Sequence, residues 1–333
     1  MSIETLRVES AALRGNPLGD PHVRKLPLIV PDDLAPGETV PCLWYLAGYG
    51  GIGATMLLDD PWQEGLEERL IRLRRAGRLG KMIVALPDAF TRWGGSQYIT
   101  SSAHGDYERY LVEDLPRAVE ARYPISAHAI AGKSSGGFGA LVNAMRHPER
   151  YVAVASHSGD IGFRLAYHGE ILALAEAIQS HGSLERLVAG FDAAEKKRDG
   201  RWIGPISALA MAAAYSPDPR RPFGIAIPFD VEKADLDDAV FARWLAWDPL
   251  SLLDQPQHVD ALRRMRLVYV DCGTRDEYHL HWGARAFSRK LQQAGVPHRH
   301  EEFDDTHRNV SYRLDVSLPL LYSALVGAPP ASG

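Results

Sequence analysis

Cysteine is nearly absent: the 333-residue chain carries only Cys42 and Cys272, and neither belongs to a C-x-x-C or metal-finger spacing. That excludes a disulfide framework and a structural zinc site. No stretch reaches the ~18 uninterrupted apolar residues that a membrane-spanning helix needs. Blocks of like charge are missing too, with 37 Lys and Arg against 42 Asp and Glu for a formal charge of −5, so neither a nucleic-acid partner nor a membrane is expected. The opening "MSIETLRVESAALRGNPLGD" has no apolar h-region, reads as mature structure, and sets the expected compartment as cytoplasmic. No internal repeat or low-complexity tract interrupts the chain.

Hydrophobic residues make up 46% of the chain and charged residues 24%, ordinary globular usage that supplies a sizeable core. Short apolar runs alternate with longer amphipathic stretches, the sign of a mostly parallel sheet covered by helices. "TLRVESAAL" and "VRKLPLIVP" read as an antiparallel edge pair. Six further strands are expected at 40–48, 81–88, 127–132, 151–159, 265–273 and 298–305. Helical spacing marks roughly 62–77, 107–123, 136–146, 280–294 and 309–326. The interval 160–264 is far longer than a normal connection and reads as a cap-like insertion in a single domain spanning 1–333, the alternative being an elaborated crossover.

The stretch "GKSSGG" (132–137) falls between the strand "AHAIA" and the helix "FGALVNAMR". Gly132, Ser134 and Gly136 satisfy G-x-S-x-G, in which a serine occupies a strained strand-to-helix turn and small neighbours prevent collision. The turn exposes the Ser134 hydroxyl at the carboxyl end of the sheet and aims the N-terminus of the helix at developing negative charge. A phosphate loop would require glycine at position 127, which is alanine.

A serine nucleophile needs a base and an acid, which follow it in the order acid, then histidine. "VYVDCGTRDEYH" offers Asp271, Asp276 and Glu277. Asp276 is favoured because it sits in the turn beyond the strand, with Glu277 the main alternative. Of the 13 histidines, His307 alone stands in the loop between the last strand and the last helix. His157, His279, His281, His298 and His300 lie near other strand ends and read as structural. The glycine-rich "YLAGYGGIGA" (45–54) supplies a backbone N–H at Tyr49 as one oxyanion donor, and Ser135 offers the other. A metal site built on His279-x-His281 is disfavoured, since that spacing points two side chains apart on a helix. Neither a metal nor a cofactor is expected.

With "LWYLAGYGG", "LPDAFTRWGGSQYITSSAHGDYERYLVEDLPRAVEARYP", "AGKSSGGFGAL", "CGTRDEYH" and a late "THRN", the chain resembles the esterase D branch of the α/β-hydrolases over nearly its whole length. That branch includes S-formylglutathione hydrolases, feruloyl and acetylxylan esterases, enterochelin-type esterases and mycolyltransferases. The resemblance implies an α/β-hydrolase fold and a serine esterase with Ser134 as nucleophile, Asp276 as acid, His307 as base, and Tyr49 and Ser135 as oxyanion donors. The chain departs from the family where many relatives have Met after the nucleophile and "GGH" at the histidine, carrying Ser135 and "DDTH" instead. "AGYGG" also differs from the "SGLTC" turn of the thiol-ester hydrolases, which ranks glutathione thioesters low.

"GGSQYITSSAHGDY" follows the fourth strand on the same edge, so Trp93, Gln97, Tyr98 and Ser101 are candidate pocket residues, as are Phe229, Trp244 and Trp247 of the insertion. For each the alternative is plain packing. Lys133 is expected either to raise the potential beside the oxyanion or to pair with a neighbouring acid. The expected partner is a small-molecule ester, and a homodimer is the default assembly. The rival functions are acyl transfer with the same residues and non-catalytic binding.

Overall fold

The structure, a computed structural model, describes residues 1–58, 60–233 and 235–328. Asp59, Ala234 and 329–333, the tail of the expected domain, lie outside the described residues. Eight strands form the main sheet: β1 (Ser2–Glu9), β2 (Val23–Val30), β3 (Val40–Leu46), β4 (Ile83–Ala85), β5 (Ile125–Lys133), β6 (Tyr151–His157), β7 (Leu267–Gly273) and β8 (Arg299–Phe303). Their spatial order is β1-β2-β4-β3-β5-β6-β7-β8. β2 runs antiparallel to β1 and β4, and every other neighbouring pair is parallel.

Period-two alternation explains the two cores. Cys42, Trp44, Leu46, Ile130, Val154, Val268 and Val270 pack on one face, and Leu43, Tyr45, Ala129, Ala131, Ala153 and Tyr269 on the other. A strand buried on both faces reads as a continuous apolar run, which is why β3 was legible as "VPCLWYL". Helices α1 (Leu66–Arg75) and α8 (Leu314–Val326) cover the second face. The first face takes α2, which runs from Tyr107 to Glu120 through a π-helical turn at Tyr110–Asp114, and α3 (Ser135–Arg146).

β1 stops at Glu9 rather than continuing to Leu13. The Ser10 hydroxyl donates to Asp114 Oδ2 at 2.6 Å and accepts the Leu13 N–H, curling the chain over α2. Between β6 and β7 the described residues form α4 (His168–His181), α5 (Leu184–Ala193), α6 (Gly200–Tyr215), four shorter α-helices and a 3-10 turn at Pro222–Gly224. Most of 238–263 is helical as well. Asp237 accepts the N–H groups of Ala239 and Val240 to start Asp238–Leu245, and proline opens both Pro249–Leu252 and Pro256–Arg263. α7 (Leu280–Gln293) then links β7 to β8.

Candidate active site

β5 ends at Lys133 and α3 begins at Ser135, leaving Ser134 as the single residue of the turn. Its backbone is left-handed in φ, at +57° with ψ −126°, a conformation that costs a non-glycine residue of order 1–3 kcal/mol. Surrounding groups hold it there: Ser134 N donates to the His157 carbonyl at 2.9 Å, and Phe138 N donates to the Ser134 carbonyl at 2.9 Å. The glycines are required by close approach. A Cβ on Gly132 would overlap the Gly136 carbonyl, and one on Gly136 would overlap the Leu46 carbonyl.

The loop after β3 passes directly over this turn. A Cβ on Gly48 would stand 3.3 Å from Ser134 Cβ. The Tyr49 hydroxyl donates to the Trp93 carbonyl at 2.9 Å and Gly50 N donates to the Gly94 carbonyl at 2.9 Å, which fixes the loop from outside. Among the described residues, the amides of Tyr49 and Ser135 find no backbone acceptor. Both residues line the cavity that Ser134 faces.

Asp276 lies in the turn after β7, its N–H bonded to the Gly273 carbonyl. Its Oδ2 stands 2.7 Å from His307 Nδ1 and its Oδ1 accepts the Tyr278 N–H at 2.9 Å. Both Asp276 and His307 are buried. Burial alone would raise the Asp276 pKa, but the hydrogen bond and charge of His307 and the bond from Tyr278 outweigh it and hold the carboxyl below its ordinary value. Glu277 turns elsewhere: its Oε2 accepts the His307 backbone N–H at 2.7 Å, so it seats the loop rather than the ring. The His307 ring meets the Tyr278 ring edge-on at 4.8 Å. Among the described residues no hydrogen bond joins the Ser134 hydroxyl to the imidazole, although both line one cavity of about 710 Å³.

The third carboxylate, Asp271, is committed to His157, 2.7 Å from its Nδ1. His279, His281, His298 and His300 lie outside the cavity lining, and no group of His, Cys, Asp or Glu with metal-holding geometry occurs among the described residues.

None of the seven candidate pocket residues lines the cavity: Ser101, whose hydroxyl donates to the Ala213 carbonyl, and Trp247 stand outside the lining, as do the five described next. Trp93 is buried and meets Phe223 edge-on at 6.0 Å. The Tyr98 hydroxyl donates to the Ala47 carbonyl at 2.8 Å, and its ring fills the space left by Gly139. Trp244 Nε1 donates to Ser216 Oγ at 2.8 Å, and Phe229 is buried in the same core. Gln97 Nε2 donates to Asp160 Oδ2, Tyr167 and the Tyr215 hydroxyl at 2.8–3.2 Å. Gln97 and Tyr98 both have positive φ, +54° and +57°, which aims their side chains into the core.

Other residues do line the cavity, and sequence reading missed them. Asp160 Oδ2 accepts from Gln97, the Ser135 hydroxyl and the Tyr167 hydroxyl. Burial raises its pKa against those bonds. Its one signal was position, three residues beyond β6 at the carboxyl edge of the sheet. Glu170, Arg198 and Arg308 also face the cavity; the first two belong to the insertion, whose docking no local pattern encodes. Lys133 faces it as well, and forms no ion pair among the described residues.

The family model described as "Putative esterase" matches residues 22–317. The chain belongs to that esterase family. It is therefore an enzyme that hydrolyses carboxylic esters, with an α/β-hydrolase fold. A solved ferulic acid esterase is 19% identical with a TM-score of 0.62, covering 97% of this chain and 98% of its own. A Staphylococcus aureus fluorophosphonate-binding serine hydrolase is 15% identical with a TM-score of 0.58 and 98% coverage of both chains. The S-formylglutathione hydrolase of Agrobacterium tumefaciens is 16% identical with a TM-score of 0.57, covering 97% of this esterase and 95% of its own chain. At these identities the likeness is one of fold.

Proposed function

We propose that this esterase acts on small or medium acyl esters through an acyl-enzyme on Ser134, with His307 as base and Asp276 as the acid that orients it. The observation that carries the reading is the strained Ser134 turn facing the same cavity as an imidazole whose Nδ1 lies 2.7 Å from a buried carboxylate. With Nδ1–H donated to Asp276, Nε2 is left as the acceptor for the serine proton. Ser134 Oγ bonds to the ester carbonyl carbon while its proton passes to Nε2. The carbonyl oxygen becomes an oxyanion beside the N–H groups of Tyr49 and Ser135, which need not reorganise to receive it. Collapse breaks the bond to the alkoxide, which leaves with the proton from Nε2. Water then repeats the sequence, giving the acid and restoring Ser134. Serine and imidazole come into hydrogen-bond contact when substrate fills the cavity, as catalytic bonds commonly do.

The test is an activated phenyl ester and a fluorophosphonate label. Ser134→Ala should abolish labelling and lower kcat by roughly four to six orders of magnitude, the loss seen when a cooperative unit loses its nucleophile. Full turnover by that variant would end the proposal.

A further inference from the structure

Three cations from distant parts of the chain converge on the cavity at Ser134: Lys133 from the end of β5, Arg198 from the segment between α5 and α6, and Arg308 next to His307. None forms an ion pair among the described residues. Arg198 spends one nitrogen on the Gly50 carbonyl, at 2.9 Å. Several arginines elsewhere on the surface are matched, as in Arg72 with Glu64 and Asp315, Arg285 with Glu302 and Arg220 with Asp218.

Two carboxylates on the lining, Asp160 and Glu170, offset part of this charge against three cations. Asp160 Oδ2 is engaged by the Gln97, Ser135 and Tyr167 donors, and among the described residues Glu170 is the only other acid on the lining outside the His307 pair. Unpaired cations at a concave surface focus the field and attract anions. Guanidinium groups suit carboxylate and phosphate oxygens in particular.

We infer that the preferred ester of this enzyme carries an anionic group, a carboxylate or a phosphate, held by Arg198, Arg308 and Lys133 while the ester carbonyl meets Ser134. The inference rests on the reading of Ser134 as nucleophile, and deepens it to a substrate class. Lys133 reaches the charged end from the elbow, and Arg308 from the loop of the base. The anion thus fixes the ester relative to both reacting groups, and a neutral ester of the same length lacks that anchor.

Binding separates this inference from the catalytic one. Ser134→Ala protein is titrated calorimetrically with two matched pairs: phenyl hydrogen glutarate against phenyl butyrate, with the charge on the acyl side, and 4-acetoxybenzoate against its methyl ester, with the charge on the alcohol side. We expect about tenfold tighter binding of the anionic member in at least one pair, and that pair tells which side of the ester bears the charge. The preference should vanish on adding Arg198→Ala and Arg308→Ala, and in about 0.5 M salt, where the screening length falls to a few Å. Both arginines are exposed, so the variants should fold, and Lys133→Met provides a second, independent loss of preference. Equal binding within about twofold in both pairs would overturn the inference, as would a preference that survives the loss of both arginines. Wild-type turnover of phenyl butyrate and fluorophosphonate labelling report on Ser134 alone, so either proposal can fail without the other.

Discussion

His157 Nδ1 lies 2.7 Å from Asp271 Oδ1 while its Nε2 lies 2.9 Å from the Ser317 hydroxyl, a second serine–histidine–aspartate series in the same molecule. All three side chains are buried in the described structure, Ser317 completely. A nucleophile there could meet neither ester nor water, and the series ties β6, β7 and α8 together behind the His307 loop. Ser317→Ala should leave ester turnover intact yet lower stability by about 1–3 kcal/mol, because the imidazole nitrogen loses its buried partner. Urea unfolding and a phenyl ester assay on one preparation check both halves.

Asp271 also accepts from Arg313 Nε at 2.9 Å and from the Tyr269 hydroxyl at 3.0 Å. Burial would raise its pKa, but His157 and Arg313 prevail and hold it below the ordinary carboxylate value. A depressed folded pKa gives stability that is present above the unfolded value, about 4, and lost as the pH falls through the folded one. Asp271→Asn removes that dependence and leaves Arg313 underpaired, so the variant should be less stable at neutral pH by about 3–5 kcal/mol. It should also lose less on going to pH 3. Thermal melts at both pH values measure the difference, and parallel curves for wild type and variant would refute the assignment.

Glu170 gives the cavity a charge that varies with pH. Burial raises its carboxyl to about 7, with the Asp160 charge adding to the shift. Lys133, Arg198 and Arg308 face the same space. Below that value the acid is neutral and opposes the cations least; above it a carboxylate competes with an anionic substrate. The ratio of kcat/KM for phenyl hydrogen glutarate to that for phenyl butyrate should therefore fall as pH rises through about 7, and Glu170→Gln should flatten the fall. The sign for stability is the same. A raised acid pKa makes folding less favourable as pH rises from the unfolded to the folded value, so Glu170→Gln should gain on wild type above pH 7.

The sheet was legible because β3 is buried on both faces and consists of uninterrupted apolar residues, while β5, β6 and β7 carry shorter apolar runs at 129–131, 151–155 and 267–270. Ser134 and the Asp276–His307 pair were legible for a different reason: each occupies a turn whose position is fixed by the strand before it. The cavity wall was not. Trp93, Phe229 and Trp244 look like pocket aromatics in a sequence, but rings of that size are as useful in a core, and here the insertion packs them inward. Arg198 and Glu170 reach the site only through the docking of α4–α6, which depends on tertiary contacts that no local periodicity encodes.

Ser135 and Gly136, the first two residues of α3, should respond to alanine in opposite ways. Ser135 contributes a backbone N–H to the proposed oxyanion site, and alanine keeps that group. What Ser135→Ala removes is the hydroxyl bond to Asp160 at 3.2 Å, leaving the Gln97 and Tyr167 donors in place. Its kcat/KM should stay within about tenfold of wild type, a loss of no more than roughly 1.4 kcal/mol in transition-state stabilisation. Gly136 has no such latitude, since an added Cβ would overlap the Leu46 carbonyl and stand 2.7 Å from the Ala47 carbonyl, both rigid backbone. Gly136→Ala must displace β3 or the start of α3, and should cost about 3 kcal/mol or more along with most of the activity, as overpacking of a rigid site does. Soluble yield, melting temperature and fluorophosphonate labelling rate, measured on both variants together, give the comparison. Equal tolerance at the two positions would mean that the backbone crossing at Gly136 does not hold Ser134 in its strained conformation.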